Sequence, residues 1–367
     1  MRQLPKMLIH EHLDCSLRPR TMLELWETIG FAEAKMSFPT NVLTPWQTGR
    51  RLENVCGKKR EAKKLIADAV AAYQQWLVGF ASSSLKNYVD AIVLHVLPLM
   101  QSAANLERIT RERIEDAQAD GIIGFELRFA PQLHTWGGLT LDQVMKAVMR
   151  GIKDAPMLVK LIVCSLRHEN DKDIVPVNPI DELADLAIRH KKHVSGFDLA
   201  ADEHKYPGVL PWWLPAARRV RKAGIGLTIH LWETDDPTDQ DVELLTRYDI
   251  KRIGHGIRGN RQGHRVLEVC PTSNVVTGQV GSFAEHPIDR LYRERKLVTV
   301  NTDGTLFTEV NLTGEYVKLQ AHFGWGLAEL YSVNATALEA SFFSAGEKEA
   351  LRSRLDRAYL KTFLQGR

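Results

Sequence analysis

The chain has 367 residues, an apolar content of 44% and a net charge of +3. This composition excludes a globally disordered chain, and the weak charge gives no sign of the concentrated basic face that nucleic-acid-binding domains carry. The length fits one large α/β barrel or two smaller domains.

Four widely spaced cysteines, Cys15, Cys56, Cys164 and Cys270, form no C-x-x-C pair. We interpret them as reduced thiols and not as a disulfide framework or a thiolate metal site. The first residues show no basic-then-apolar signal segment, and no run of about 18 apolar residues occurs. We therefore expect a cytoplasmic protein that binds neither membranes nor nucleic acid, and we make no prediction of its oligomeric state.

Short apolar runs rich in β-branched residues alternate along the chain with longer amphipathic stretches. Such runs are typical of parallel strands that are buried on both faces. Eight strands are predicted, at Met7–Ile9, Ile122–Phe129, Leu158–Cys164, Val194–Asp198, Gly226–His230, Arg252–Gly254, Leu267–Cys270 and Leu297–Asn301. Helical periodicity between them is clearest at Thr140–Ile152, Ile180–His190 and Pro211–Lys222.

This alternation predicts a closed (β/α)₈ barrel, a TIM barrel, that forms a single domain over the whole chain. A doubly wound open sheet is the competing architecture, but the first strand ends in histidines instead of a Gly-rich phosphate turn. Roughly residues 20–120 form a long helical insertion after the first strand, and Leu327–Gln365 form a helical tail. Four aromatic residues of the insertion either cover the active site or pack in a core: Trp26, Phe38, Trp46 and Trp76.

The first strand ends in His10 and His12, which flank Glu11. Residues two apart in a strand point the same way, so both imidazoles face the mouth of the barrel. Two convergent imidazoles form half of a divalent metal site, whereas ordinary hydrogen-bonded histidines are the alternative interpretation.

Later strands end in titratable residues in the same manner. The fifth strand ends at His230, with Glu233 three residues on, the sixth is followed by His255 and the eighth by Asp303. The carboxyl ends of barrel strands meet at one mouth, so we expect these side chains to lie together. The alternative is that each of these residues separately caps a strand or a helix. That alternative does not explain why titratable residues follow so many of the strands.

These positions predict distinct catalytic roles around zinc or a similar cation, and iron, cobalt or manganese could occupy the same ligands. Either Asp303 or His255 takes a proton from a water molecule that the metal polarises. Glu233 protonates the substrate nitrogen if apolar neighbours such as Leu231 and Trp232 raise its pKa. The predicted metal ligands are His10, His12, His230 and Asp303.

The order of these motifs resembles that of the adenosine deaminase family of metal-dependent amidohydrolases, over about residues 5–355. The resemblance implies a (β/α)₈ barrel that binds one zinc ion through the four ligands above, with Glu233 as the proton donor to a purine ring nitrogen. It also implies that Asp14 contacts the ribose. The matching segments are 10–19, Glu126–Pro131, Arg167–His168, Asp198–Ala200, Asp202–Glu203, Gly254–Gly256, Cys270–Pro271 with Ser273, Thr277–Gly278 and Asn301–Asp303.

Four positions depart from the family pattern where the substrate is expected to bind. Cys15, Ala201 and Trp232 stand where the family usually has glycine, and Gly304 stands where it has a second aspartate. The family's aspartate bonds the imidazole nitrogen of the purine, and the glycine at the Ala201 position gives that purine a backbone N–H. Either Gly304 marks an altered substrate, or it serves a tight turn with an unusual backbone angle.

Three hypotheses about function follow. The first is hydrolytic deamination of an adenosine-like aminopurine, as a nucleoside or a base, with release of ammonia. The second keeps this chemistry for another amino-heterocycle, such as a pterin, a pyrimidine or an N6-modified purine, with Trp232 either stacking on the substrate or reshaping the pocket. The third is a non-catalytic binding member of the fold, which would not need the complete set of acid, metal ligands and second histidine.

Overall fold

Eight parallel strands form one sheet in chain order. This architecture comes from a computed structural model that describes residues 1–35, 37–55, 57–168, 180–259, 261 and 263–365. The strands are β1 Lys6–His12, β2 Ile122–Phe129, β3 Leu158–Leu166, β4 Val194–Ala200, β5 Gly226–Leu231, β6 Arg252–His255, β7 Val266–Val269 and β8 Val298–Val300. A bridge between Glu11 and Asp303 joins the first strand to the end of the last, so the predicted barrel is confirmed.

Helices surround the barrel and fill the insertion and the tail. Within the described residues they are α1 Pro19–Ile29, α2 Thr40–Glu53, α3 Lys59–Ala81, α4 Leu85–Ala91, α5 Ala103–Ala119, α6 Leu141–Ile152, α7 Ile180–Arg189, α8 Leu214–Lys222, α9 Asp239–Arg247, α10 Pro271–Val276, α11 Ile288–Arg293, α12 Thr305–Thr308, α13 Leu312–Phe323, α14 Leu327–Ala340 and α15 Ala345–Gln365. Between α4 and α5 the chain makes a π-helical turn, Ile92–Val96, and a 3₁₀ turn, Leu97–Met100.

The element boundaries differ from the predicted ones mainly at the strand ends. The second strand has its predicted bounds, whereas β1 runs on to His12 and β3 to Leu166. The helix predicted from Pro211 begins at Leu214, because the residues before it form a turn. The tail is two helices, α14 and α15, with a break after Ala340.

The seam between the first and last strands lies at the mouth of the barrel. The backbone N–H of His12 donates to the Asp303 carbonyl at 2.7 Å, and that of Asp303 donates to the His10 carbonyl at 3.2 Å. The Asn301 side chain accepts from the backbone N–H groups of Ile9 and His10 at 3.2 and 3.1 Å. Closing the barrel therefore fixes the relative positions of three predicted metal ligands.

A buried ion-pair network fills the barrel below the mouth. Arg128 contacts Asp198 at 2.8 Å and Glu268 at 2.7 Å, and Arg252 pairs with Glu268 and Glu126, all at full burial. Branched apolar residues usually fill such a barrel. Buried charges are tolerated here because each one has partners of opposite sign.

The aromatic residues of the insertion form its own core. Trp26, Phe38 and Trp46 are buried, and the Phe38 and Trp76 rings lie 6.0 Å apart. Cys15, Cys164 and Cys270 are buried free thiols, and Cys56 lies outside the described residues.

No single helix in the described ranges has both the length and the apolar character needed to cross a membrane. The segments Leu85–Met100 and Ala103–Ala119 meet these criteria only as a pair, and that pair is bent by 114°.

Candidate active site

The four predicted metal ligands point their donor atoms at one another. The Nε2 atoms of His12 and His230 are 3.1 Å apart, and Asp303 Oδ1 lies 3.3 Å from His10 Nε2 and 3.6 Å from His12 Nε2. All four donor atoms lie within 4.8 Å of one another. Ligand atoms of a tetrahedral zinc site, with bonds of about 2.0–2.1 Å, are separated by about 3.3–3.4 Å. The donor set therefore fits a single small cation.

The hydrogen bonds on the far side of the imidazoles support the same interpretation. His10 Nδ1 lies 2.7 Å from Glu268, and His230 Nδ1 lies 3.0 Å from Asp198. A carboxylate partner places the proton on Nδ1 and leaves the lone pair of Nε2 facing the cluster. The buried His10 Nε2 has no hydrogen-bond partner among the described residues. A cation would satisfy this lone pair.

Both supporting carboxylates stay ionised. Burial alone would raise the pKa of Glu268, but the positive charges of Arg252 and Arg128 outweigh it and hold the pKa well below its ordinary value. The pKa of Asp198 is also lowered, because His230 and Arg128 outweigh the effect of burial. Glu268 is a functional residue that the strand-end pattern does not reveal, because its one signal in the sequence is an acidic residue inside the buried strand β7.

A chain of hydrogen bonds settles the protonation of His255. The backbone N–H of Ile288 donates to His286 Nδ1 at 3.1 Å, so the proton of His286 is on Nε2, which donates to Asn274 Oδ1 at 3.3 Å. The Asn274 amide therefore turns its NH₂ toward His255 Nδ1, at 3.1 Å. Neutral His255 then carries its proton on Nε2, which lies 3.9 Å from Asp303 Oδ1. In this state His255 is a donor and Asp303 is the better base.

Glu233 lies beside this chain and has the properties of an acid. Burial, followed by the negative charges of Asp303 and Glu203, raises its pKa well above the ordinary glutamate value. The Asn274 amide lies 3.4 Å from Glu233 Oε1. Glu203 accepts the backbone N–H groups of Trp232 and Glu233 at 2.7 and 2.9 Å, which fixes the turn after β5.

The cavity above the cluster has a polar floor and an apolar wall. It is a partly open cleft that combines apolar side chains with a few convergent polar groups, as sites for small organic molecules do. Predicted substrate-binding residues Asp14 and Ala201 line it. The insertion contributes Leu85, Val89, Ile92, Val93 and Leu97 to the apolar wall. Trp26, Phe38, Trp46 and Trp76 do not line the cavity, so their role is packing.

Trp232 corrects one sequence-based expectation. Its side chain is fully buried in the barrel wall near Gly259 and is not among the cavity-lining residues. Its backbone has a φ of +59°, in the left-handed region, which turns the indole away from the site. The predicted stacking of Trp232 on the substrate therefore disagrees with this geometry.

Gly304 corrects a second expectation. Its φ of −157° is extended backbone, so the hypothesis of a turn that needs glycine for an unusual angle is wrong. Space is what requires the glycine, because a Cβ atom at this position would overlap Cys15 Cβ and lie 2.8 Å from the Tyr88 hydroxyl. Gly304 itself does not line the cavity.

Comparison with known proteins agrees with this geometry. Residues 54–358 match the model of the adenosine deaminase family. Adenosine deaminase from Mycolicibacterium vanbaalenii is 33% identical, with 96% of this chain and 94% of the relative aligned. That from Mycobacteroides abscessus is 32% identical, covering 95% and 93% of the two chains.

Solved structures share the fold at lower identity. The Arabidopsis N6-mAMP deaminase has a TM-score of 0.74 at 23% identity, covering 97% of this chain and 98% of its own. An adenine deaminase from Arthrobacter aurescens has a TM-score of 0.75 at 20% identity, covering 97% and 99%. A zinc-bound amidohydrolase from Burkholderia ambifaria has a TM-score of 0.74 at 19% identity, covering 100% and 94%. The chain belongs to the adenosine deaminase family and is a hydrolytic deaminase.

Proposed function

We propose that this protein is a zinc-dependent deaminase of an uncharged aminopurine, taken as the base or the nucleoside. The observation that carries the proposal is the placement of a buried acid, Glu233, whose pKa is raised, and a candidate base, Asp303, in one cavity with a four-ligand cation site. A set of three imidazole ligands and one carboxylate favours zinc over magnesium or calcium. The relatives named adenosine deaminase support a purine substrate.

The chemistry divides among residues that the structure brings together. A divalent ion, when bound by the three histidines and Asp303, supplies Lewis-acid polarisation of a water molecule. Asp303 accepts a proton from that water, and the Nε2–H of His255 donates to the oxygen as it approaches the amino-bearing ring carbon. Glu233 protonates the adjacent ring nitrogen. The proton held by Asp303 then passes to the amino group as its bond to the ring carbon breaks, and the hydroxyl proton on that carbon returns to Glu233, which gives ammonia and a ring carbonyl.

The cavity wall supports an uncharged substrate. No lysine or arginine is among the described residues that line the cavity, while Asp14, Glu233 and Asp303 are. Within the described lining, a phosphate group would therefore be desolvated next to carboxylates with no cationic side chain to pair with it. This argument favours a base or nucleoside over a nucleotide.

One observation favours a second candidate, the same reaction on another amino-heterocycle. Cys15 and Tyr88 occupy the space next to Gly304, so the carboxylate that the family pattern uses to bind the purine has no room. A pyrimidine or pterin ring would present different atoms at this point. The sequence-based prediction of a cytoplasmic location remains part of the proposal.

The test is an assay of product release from a panel of adenine, adenosine, AMP, N6-methyladenosine, cytosine and pterin. Ammonia is measured for every compound except the N6-methyl compound, for which methylamine is measured. We expect the highest kcat/KM with adenine or adenosine and at least tenfold less with AMP. If cytosine or the pterin has the highest kcat/KM, the purine assignment is wrong and the second candidate function is supported. Highest turnover of AMP would overturn the uncharged substrate, and no release from any compound would overturn the proposal.

A further inference from the structure

Tyr88 carries a buried hydroxyl group that no role assigned so far uses. The residue belongs to α4, lines the cavity and is 4% exposed. Its hydroxyl has no hydrogen-bond partner that meets normal geometry among the described residues, and the Cys15 thiol beside it is only a weak one. A buried phenol normally finds a partner, because leaving its hydroxyl group unsatisfied has a free-energy cost. A polar atom of a bound ligand would remove this cost.

The hydroxyl group lies beside the strand end that carries Asp303. It is 2.8 Å from the place that a Cβ atom of residue 304 would occupy. The Tyr88 ring is held there by Phe307 of α12, with ring centroids 5.0 Å apart and planes at 70°. The hydroxyl therefore stands where a longer side chain at position 304 would begin.

The Tyr88 hydroxyl and the acid Glu233 lie at different places in the cavity. Glu233 follows β5 and Gly304 follows β8, so the two approach the cavity from strands that are three positions apart around the barrel. A fused heterocycle with its amino-bearing carbon over the metal ligands would offer one ring nitrogen to Glu233. Its second ring would extend toward another part of the wall.

We propose that the Tyr88 hydroxyl donates a hydrogen bond to an acceptor nitrogen in the second ring of the substrate, replacing the carboxylate that the family pattern has at position 304. The inference rests on the proposed function and adds a specificity-determining residue to it. Burial raises the pKa of Tyr88 well above its ordinary value, so the phenol keeps its proton and remains a neutral donor. Such a donor selects a ring that carries an unprotonated nitrogen and discriminates against a C–H group at the same place.

The experiment pairs a substrate atom with an enzyme atom. The kcat/KM for ammonia release is measured for adenosine and for 7-deazaadenosine, in which a C–H group replaces the imidazole nitrogen, with the parent enzyme and with Tyr88→Phe. Tyr73→Phe is the matched control, because Tyr73 is equally buried in the insertion but does not line the cavity. If another fused heterocycle is the best substrate of the panel, that compound and its C–H analogue form the pair.

The parent and Tyr73→Phe should prefer the nitrogen compound by about 10- to 100-fold. Tyr88→Phe should reduce this preference to less than about threefold, mainly by lowering kcat/KM for the nitrogen compound. A preference that is unchanged in Tyr88→Phe overturns the inference while the proposed deamination stands. The inference about Tyr88 is also overturned if the parent enzyme has the same kcat/KM for the two compounds. If no fused-ring compound of the panel is a substrate, both the inference about Tyr88 and the purine assignment are overturned.

Discussion

Glu233 has an environment that suits a proton donor and would not suit an ion. It is buried, and burial together with the negative charges of Asp303 and Glu203 raises its pKa well above the ordinary value. At neutral pH such a carboxyl group holds a proton that it can deliver to the substrate.

Replacing Glu233 by glutamine should lower kcat by about 10²- to 10⁴-fold, because the amide keeps the shape and loses the transferable proton. Steady-state ammonia release measures this effect, with metal content and melting temperature measured alongside. Glu243→Gln, at an exposed position of α9, is the control and should match the parent. Activity of Glu233→Gln within threefold of the parent would contradict the assigned acid role.

Gly304 is required by its neighbours and not by its backbone. The single change Gly304→Asp should destabilise the fold by about 1–3 kcal/mol, because its Cβ atom has no room beside Cys15 and Tyr88. Adding Cys15→Gly removes one of these contacts and should restore part of the loss. Denaturant unfolding measures the free energy of unfolding of the two variants and the parent. A Gly304→Asp variant as stable as the parent would show that a side chain at position 304 has room beside Cys15 and Tyr88.

The residues that the sequence made predictable are those whose positions follow from strand ends. His10, His12, His230 and Asp303 converge because parallel strands deliver their carboxyl ends to one mouth. Glu268 and Tyr88 could not be found in this way, because one lies mid-strand and the other comes from the insertion. Trp232 was placed wrongly, since the sequence does not show that its φ is positive.

At the scale of elements, strand alternation in β1 separates two functions. His10 and His12 face the cluster, whereas Glu11 points outward and pairs with Arg113 of α5. The sequence predicted the order and type of the strands from their apolar runs. It did not predict their ends, because β1 and β3 continue through polar residues that gain partners only in the closed barrel.

The strand β7 supports a ligand of β1 through Glu268, so the metal site depends on the barrel as a whole. Glu268→Gln should weaken metal binding by about 10- to 100-fold, because the neutral amide no longer fixes and polarises the His10 imidazole. Competition with a chromophoric chelator measures the affinity. Thr228→Val, which removes only the hydroxyl that donates to Glu268 at 2.8 Å, is the matched control and should retain most of it. Equal affinities for Glu268→Gln and the parent would contradict the supporting role.

At the scale of the whole molecule, a buried acid between α10 and α13 couples stability to pH. Burial raises the pKa of Glu315 to about 7, although the Thr272 backbone N–H contact at 3.2 Å and Lys318 oppose the effect. Its folded pKa exceeds the ordinary value of 4.5, so the folded chain binds more protons between these two values. This contribution to stability is complete below pH 4.5 and is lost as the pH rises through about 7.

Unfolding free energies at pH 5 and pH 8 test this coupling. The unfolding free energy of Glu315→Gln should decrease less from pH 5 to pH 8 than that of the parent. The difference between the two decreases should be on the order of 2–3 kcal/mol. Glu349→Gln, at an exposed site of α15, is the control and should behave as the parent does. The same pH dependence in Glu315→Gln and the parent would show that another group is responsible.

The proposed catalysis depends on a metal ion at the four-ligand cluster. The most direct measurement is the metal content of the purified protein together with ammonia release before chelation, after chelation and after zinc is returned. We expect about one divalent ion per chain, loss of at least 99% of the activity on its removal, and recovery with zinc. Full activity in protein that contains no bound divalent ion would contradict the account.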